Sequence, residues 1–270
     1  MCLVAIVAIA QEKANIIVSY NFRSLNLMNG NVDLNNQYIL SANSNYSKFY
    51  SPITQYIDSL NCTSEGKAKL NQMTEDAILK GEYDKIPAKD GSFYVVKTLS
   101  SIILYDVIGT EKYKTEDIKI KEKWEISDSV KNVLGYECIL ATCEYHGRIW
   151  NAWFSPEIPI QEGPWKLYGL PGLILEALDD QKQYHFTATG IQQANVIITP
   201  IPMADEYEKI NRQDFWKTKR SFLENLTGRL KAQLGENVEI ITENGDAPST
   251  FCFNESIDFI ETDYNNISHK

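Results

Sequence analysis

Histidine is scarce in this chain of 270 residues, which has only His146, His185 and His269. There is no GxSxG elbow, HExxH helix, phosphate-binding P-loop or GxGxxG turn, so the local signatures of common hydrolases, zinc proteases and nucleotide-binding enzymes are missing. Lysine and arginine number 26 against 36 aspartates and glutamates, a formal charge of −10. That deficit excludes a general affinity for nucleic acid, which needs surplus cations to displace counterions. Beyond the first ten residues no run of about 18 apolar residues occurs, so no helical membrane span is expected. The five cysteines form no CxxC pair, and no Cys, Asp or His cluster has ligand spacing. Neither a metal nor a cofactor is expected. There is no internal repeat and no low-complexity block.

What is present is apolar and aromatic. Hydrophobic residues make up 43% of the sequence and aromatics 11%, enough for one large domain with its own core. The chain opens MCLVAIVAIAQEK, whose uncharged run ends in Ala8-Ile9-Ala10, the small-x-small pattern of a signal-peptidase site. Residues 1–10 are therefore read as a signal peptide and the protein as exported, to the periplasm or cell envelope; a buried first strand is the alternative. Removing the leader leaves Cys62, Cys138, Cys143 and Cys252. Cys138 and Cys143 lie in one predicted strand on opposite faces, roughly 16 Å apart at the usual rise, too far for a disulfide. The pairing of the four is otherwise open.

Periodicity predicts an α+β protein, mainly β: a curved antiparallel meander, half-barrel-like, with a few packed helices, spanning residues 11–235. Ile16, Val18, Tyr20 and Phe22 alternate with polar residues as a half-buried strand does. Residues 37–50 read as two strands about the SANSN turn, and residues 51–82 as helical, with Gly81 as the stop. Strand signals return in SFYVVKTL, SIILYDVI and a Lys/Glu-rich segment. Five β-type runs follow in about seventy residues, joined mostly by short turns that favour antiparallel neighbours. A helix is expected near 212–234, with Phe215, Phe222, Leu226 and Leu230 on its apolar face. Residues 236–270 are expected to form a poorly ordered acidic tail with one candidate short strand, VEIIT.

The unusual residues concentrate in GRIWNAWFSPEIPIQEGPWKLYGLPGLIL, from Gly147 onward. A linker of about 17 residues joins its two strands, and connections of that length are commonly functional or disordered. Pro156, Pro159, Pro164 and Pro171 each fix φ, and Trp165 and Tyr168 supply apolar area. The linker is thus read as a rigid loop across one end of the sheet. Leu170-Pro171-Gly172-Leu173 suits a type II turn.

The stretch from Trp124 to Asp179 resembles the GLPGLI family of exported Gram-negative proteins. The residues that carry the resemblance are Trp124; Gly135, Tyr136 and Cys138; Gly147-Arg148; Ala152-Trp153; Ile158-Pro159; Gly163-Pro164-Trp165; and the hexapeptide Gly169-Leu170-Pro171-Gly172-Leu173-Ile174. Cys143 departs from the pattern. The resemblance implies a cell-envelope protein, often encoded beside outer-membrane TonB-dependent transporters, and brings no catalytic residues.

The leading expectation is a non-enzymatic binding or accessory protein. Arg148, Trp153, Trp165 and Tyr168 are its candidate contacts to a partner or an apolar ligand, because exposed aromatics carry binding energy. The same two indoles would serve equally as core. Two other readings stand beside it: a hydrolase using His185 or a carboxylate pair, and a structural subunit of an outer-membrane transporter. Asp179-Asp180 is read as a solvated turn.

Overall fold

The structure, a computed structural model, describes residues 11–25, 32–89, 91, 93–120, 123–225 and 258–265. The predicted leader, the VEIIT segment and the helix beyond residue 225 lie outside them. Twelve strands form one open sheet: β1 (Lys13–Leu25), β2 (Val32–Ala42), β3 (Ser47–Tyr50), β4 (Tyr94–Lys97), β5 (Ser101–Ile108), β6 (Glu111–Ile118), β7 (Glu125–Val133), β8 (Tyr136–Tyr145), β9 (Arg148–Ser155), β10 (Leu173–Asp179), β11 (Tyr184–Ile197) and β12 (Glu208–Lys209). The fold is α+β and mainly β, as the periodicity predicts.

The strand order is β12-β6-β5-β4-β3-β2-β1-β11-β10-β9-β8-β7. Two antiparallel meanders, one from β1 through β6 and one from β7 through β11, therefore meet along the β1/β11 ladder. Both strands are long, and their inward residues stack: Phe22 lies opposite Phe186 with ring centroids 4.5 Å apart. Among the described strands only β12 runs parallel to its neighbour, β6.

The sheet curls hard. β4 and β9 are six strands apart, about 29 Å in a flat sheet at the usual spacing. Yet Trp165, in the loop after β9, packs 5.5 Å from Trp150 of β9 while its carbonyl accepts a hydrogen bond from Lys97 of β4 at 3.1 Å. A single residue reaches both limbs because they face each other across a half-barrel. Its concave side holds the main core, and a smaller cluster of Tyr94, Val96, Ile201 and Tyr207 lies on the convex side.

Helices α1 (Pro52–Asn61) and α2 (Ser64–Lys80) start where hydroxyls accept from free backbone amides: Ser51 from Thr54, and Thr63 from Gly66. Gly81 ends α2 at φ 69°, a left-handed cap that glycine adopts without strain. Helix α3 (Arg212–Glu224), capped by Asn211, buries Phe215 and Trp216 against the concave face.

Part of the predicted loose tail is well packed. Residues 258–265 cross the mouth of the half-barrel, with Phe259, Ile260 and Tyr264 buried in the main core. Charges hold this strap. Arg148 donates to the carbonyls of Asp258 and Phe259; Lys166 pairs with Glu261 at 2.7 Å; Arg212 bonds Glu261 and both carboxylate oxygens of Asp263. Composition pointed to disorder because acidic residues look solvated in sequence. Here their cationic partners come from β9, the loop and α3.

Burial alone would raise the Glu261 carboxyl, but the charges of Lys166, His146 and Arg212 hold it down at about 2. A carboxyl depressed in the folded state stabilises the fold fully above its unfolded value of about 4.3 and loses that contribution as pH falls toward 2. Urea midpoints measured from pH 6 to pH 2.5 should therefore fall more steeply for the native chain than for Glu261→Gln. Parallel profiles would contradict the ion-paired strap.

Candidate functional site

Residues 156–172, between β9 and β10, fold onto the concave face as a hydrogen-bonded loop. The amide of Gly169 donates to Gln161, that of Ile174 to Glu162 and that of Leu173 to Ile158. Leu167 donates to Pro164 at 3.0 Å, closing a turn in which Trp165 takes φ 51°. A left-handed tryptophan costs roughly 1–2 kcal/mol, and its surroundings hold it there. The indole is 1% exposed, against Trp150 and Tyr145.

The hexapeptide is built differently from the expected type II turn. Gly172 donates to the carbonyl of Leu170 at 2.8 Å, a three-residue turn centred on Pro171, and its φ of 159° is near-extended. Glycine is required for space: a Cβ at Gly172 would lie 2.1 Å from the carbonyl oxygen of Ser155. Tyr20 of β1 fastens the far end by donating to the carbonyl of Ile174 at 2.6 Å.

The loop is organised around a buried ammonium. Lys97 faces inward from β4, and its Nζ donates to the carbonyls of Gly163, Trp165 and Leu167 at 2.8, 3.1 and 3.1 Å. It also lies 2.9 Å from the Glu162 carboxylate. Glu162 in turn accepts from Ser47 at 2.9 Å and pairs with Lys119 at 3.2 Å. Burial pulls the Lys97 ammonium below its ordinary value, with Glu162 acting against it. We take it as protonated, because four acceptors converge on it. Lys166 points the other way from the same turn and ties it to Asp117 of β6 and to Glu261 of the strap.

Beside this triad opens a cleft of about 590 Å³, lined by Leu99, Lys119, Ile120, Ile160, Glu162 and Tyr168 among others. Its rim is apolar and wet: Leu99 is 73% and Ile120 63% exposed. Tyr168 is pinned by its hydroxyl donating to the carbonyl of Ile120 and by Trp124, whose indole donates to the Tyr168 carbonyl at 2.9 Å. The Lys119 ammonium sits 4.8 Å from the centre of the Tyr168 ring.

The four predicted contact residues do not form one site. Tyr168 borders the cleft. Trp165 lies in the core behind the loop, so exposed binding area is not available from it. Arg148, 2% exposed, bonds Asp179, Gln183 and the strap carbonyls, and is a structural clamp. Its partner Asp179 is fully buried at the end of β10, which corrects the reading of a solvated turn for that residue, while Asp180 is exposed in the turn as expected. Trp153 lies on the opposite face of β9 from Trp150 and Phe154, with Lys131 4.4 Å above its ring.

His185 stands on that convex face as well. Its Nε2 lies 3.2 Å from Glu176 and 3.1 Å from Thr187. A nucleophile triad needs the hydroxyl on one ring nitrogen and the carboxylate on the other. Both partners here share one nitrogen, and Glu176 is also paired with Lys131. His146 comes near Glu261 and Asp263, close enough for three ligand atoms to share an ion. Arg212 and Lys166 already occupy those carboxylates, so the group does not fit a resident metal.

Lys97, Glu162 and Lys119 escaped the sequence reading. The available signal was parity: Lys97 shares the inward face of β4 with Val95, where an unpaired lysine is not tolerated.

Comparison with known proteins gives one family match. Residues 145–176 match an uncharacterised family found in Bacteroidetes, "Protein of unknown function (Porph_ging)". That segment runs from the end of β8 through the loop into β10, and includes Glu162, Trp165 and Tyr168. No curated protein matches the sequence. The fold is similar to that of PNGF-II in its C2 crystal form, at a TM-score of 0.50 and 12% identity, covering 78% of this chain and 34% of that one. The P21 form gives 0.48, 13%, 78% and 34%. This chain thus spans about a third of PNGF-II, and at such identity the likeness is one of fold alone.

Two stability experiments probe the loop. Lys97→Met should cost about 3–5 kcal/mol in urea unfolding by leaving the three loop carbonyls without a donor and Glu162 with Lys119 as its one cation, and adding Glu162→Gln should restore part of that loss. Strictly additive costs would mean the two groups are not coupled. Gly172→Ala should cost about 1–3 kcal/mol by overpacking against backbone. Pro171→Ala, which leaves the turn's hydrogen bond intact, should cost less than Gly172→Ala; the reverse order would contradict the steric role of Gly172.

Proposed function

We propose that this is an exported cell-envelope protein of the GLPGLI type, a non-enzymatic binding protein whose ligand sits in the cleft beside the Pro156–Gly172 loop. The observation that carries the reading is the cleft itself: exposed apolar walls converge on a rigid, ion-paired floor. A pocket that is pre-formed and held by buried hydrogen bonds loses little entropy on binding. The loop's prolines and buried Trp165 keep Tyr168 and Ile160 in place without touching the ligand. The matched segment, residues 145–176, covers much of this construction, which favours a role shared within that family. The apolar run and Ala8-Ile9-Ala10 pattern of residues 1–10 support export.

The test is titration with a neutral apolar fluorophore such as N-phenyl-1-naphthylamine. One molecule should bind per chain, and Leu99→Ser with Ile120→Ser should weaken binding at least about tenfold, given about 1.5 kcal/mol or more per lost apolar contact. Both side chains are exposed, so the melting temperature should stay within about a degree or two. Binding that ignores this double substitution would overturn the site.

A further inference from the structure

The charges around the cleft do not cancel. Glu162 is the anion of its floor, and Lys97 and Ser47 already satisfy one of its oxygens from the buried side. The Lys97 ammonium is itself surrounded by three loop carbonyls and cannot turn outward. Among the described residues that line or underlie the cleft, one buried cation therefore balances the one carboxylate, and the charge of Lys119 is in surplus. Its ammonium has three protons, for which the structure offers Glu162 Oε1 at 3.2 Å and the face of Tyr168. Among the described residues it has no further partner. Its side chain is 18% exposed, at the boundary between the ionic floor and the apolar wall of Leu99, Ile120 and Ile160.

We propose that the cleft takes a free amphipathic monocarboxylate: an unbranched apolar chain lies along Leu99, Ile120 and Ile160, and its anionic head meets Lys119. This deepens the binding reading above and rests on it. A cationic head would face the Lys119 ammonium and bring a third positive charge to a carboxylate that Lys97 and Lys119 already share. A dianionic head would meet a single surplus cation and keep an unpaired charge against an apolar wall. A neutral head would gain the apolar contacts but leave the net positive charge of the Lys97–Glu162–Lys119 group unbalanced.

The experiment is displacement of the same fluorophore by decanoate, decanol and decylammonium below their micellar concentrations, with acetate as the head alone. Decanoate should bind at least about tenfold more tightly than decanol, the equivalent of one charge-assisted contact, and decylammonium more weakly than either. Acetate should not compete. Lys119→Met should bring decanoate to the level of decanol and leave decanol unchanged, while Lys119→Arg should keep the preference. Equal affinities for decanoate and decanol, or a preference that survives Lys119→Met, would overturn the carboxylate assignment and leave the cleft standing. Failure of all three chains to compete would remove the cleft reading with it. A short apolar peptide whose affinity depends on its free C-terminal carboxylate and exceeds that of decanoate would move the ligand to peptide ends and overturn a free small molecule.

Discussion

One ammonium group, that of Lys97, sets the shape of the region where sequence peculiarity and cleft coincide. Three consecutive odd-numbered residues of the loop, Gly163, Trp165 and Leu167, turn their carbonyls toward it. Carbonyls converging in this way repel one another and would need water in a dry core. A lysine offers three donors and a charge from one point, and Glu162 holds that charge in the protonated form. From this follow the left-handed Trp165, the burial of its indole against Trp150, and the position of the buried Tyr168 in the wall of the cleft.

That arrangement requires the sheet to be curled, since Lys97 belongs to one meander and the loop to the other. The curl is secured at the seam, where β1 and β11 stack their aromatics, and at the mouth, where the strap is tied by Arg148, Lys166 and Arg212. Buried ion pairs of this kind add little net stability over an apolar core, but they fix which residues meet, because any other register strands a charge. The concave interior thus specifies one loop geometry.

The sheet was legible in the sequence wherever one face is buried and the other wet. Ile16 to Phe22 alternates cleanly because β1 does. Gly81 was legible as a helix stop because a left-handed cap is local chemistry, whereas the break between α1 and α2 inside residues 51–82 was not read. Arg148 and Trp165 were visible as unusual residues but not as interior ones. Their burial depends on Asp179 and Phe259 for the first and on Trp150 and Tyr145 for the second, contacts that span up to 111 residues. Leu170 to Leu173 suited a type II turn by composition, but the Leu173 amide bonds Ile158 instead of closing on Leu170, a distant partner that sequence spacing cannot place. Lys97 and Glu162 carried no local signal beyond parity, since each looks ordinary until the other is beside it.

Native-state hydrogen exchange in the Lys97→Met chain tests the organising role of that ammonium most directly. If Lys97 holds the loop, the amides of Leu167, Gly169 and Leu173 lose protection together in this variant, while those of the β1/β11 ladder keep theirs. Unchanged protection of the three loop amides would show that the loop is held by its own hydrogen bonds and packing, and would contradict the central place given to Lys97.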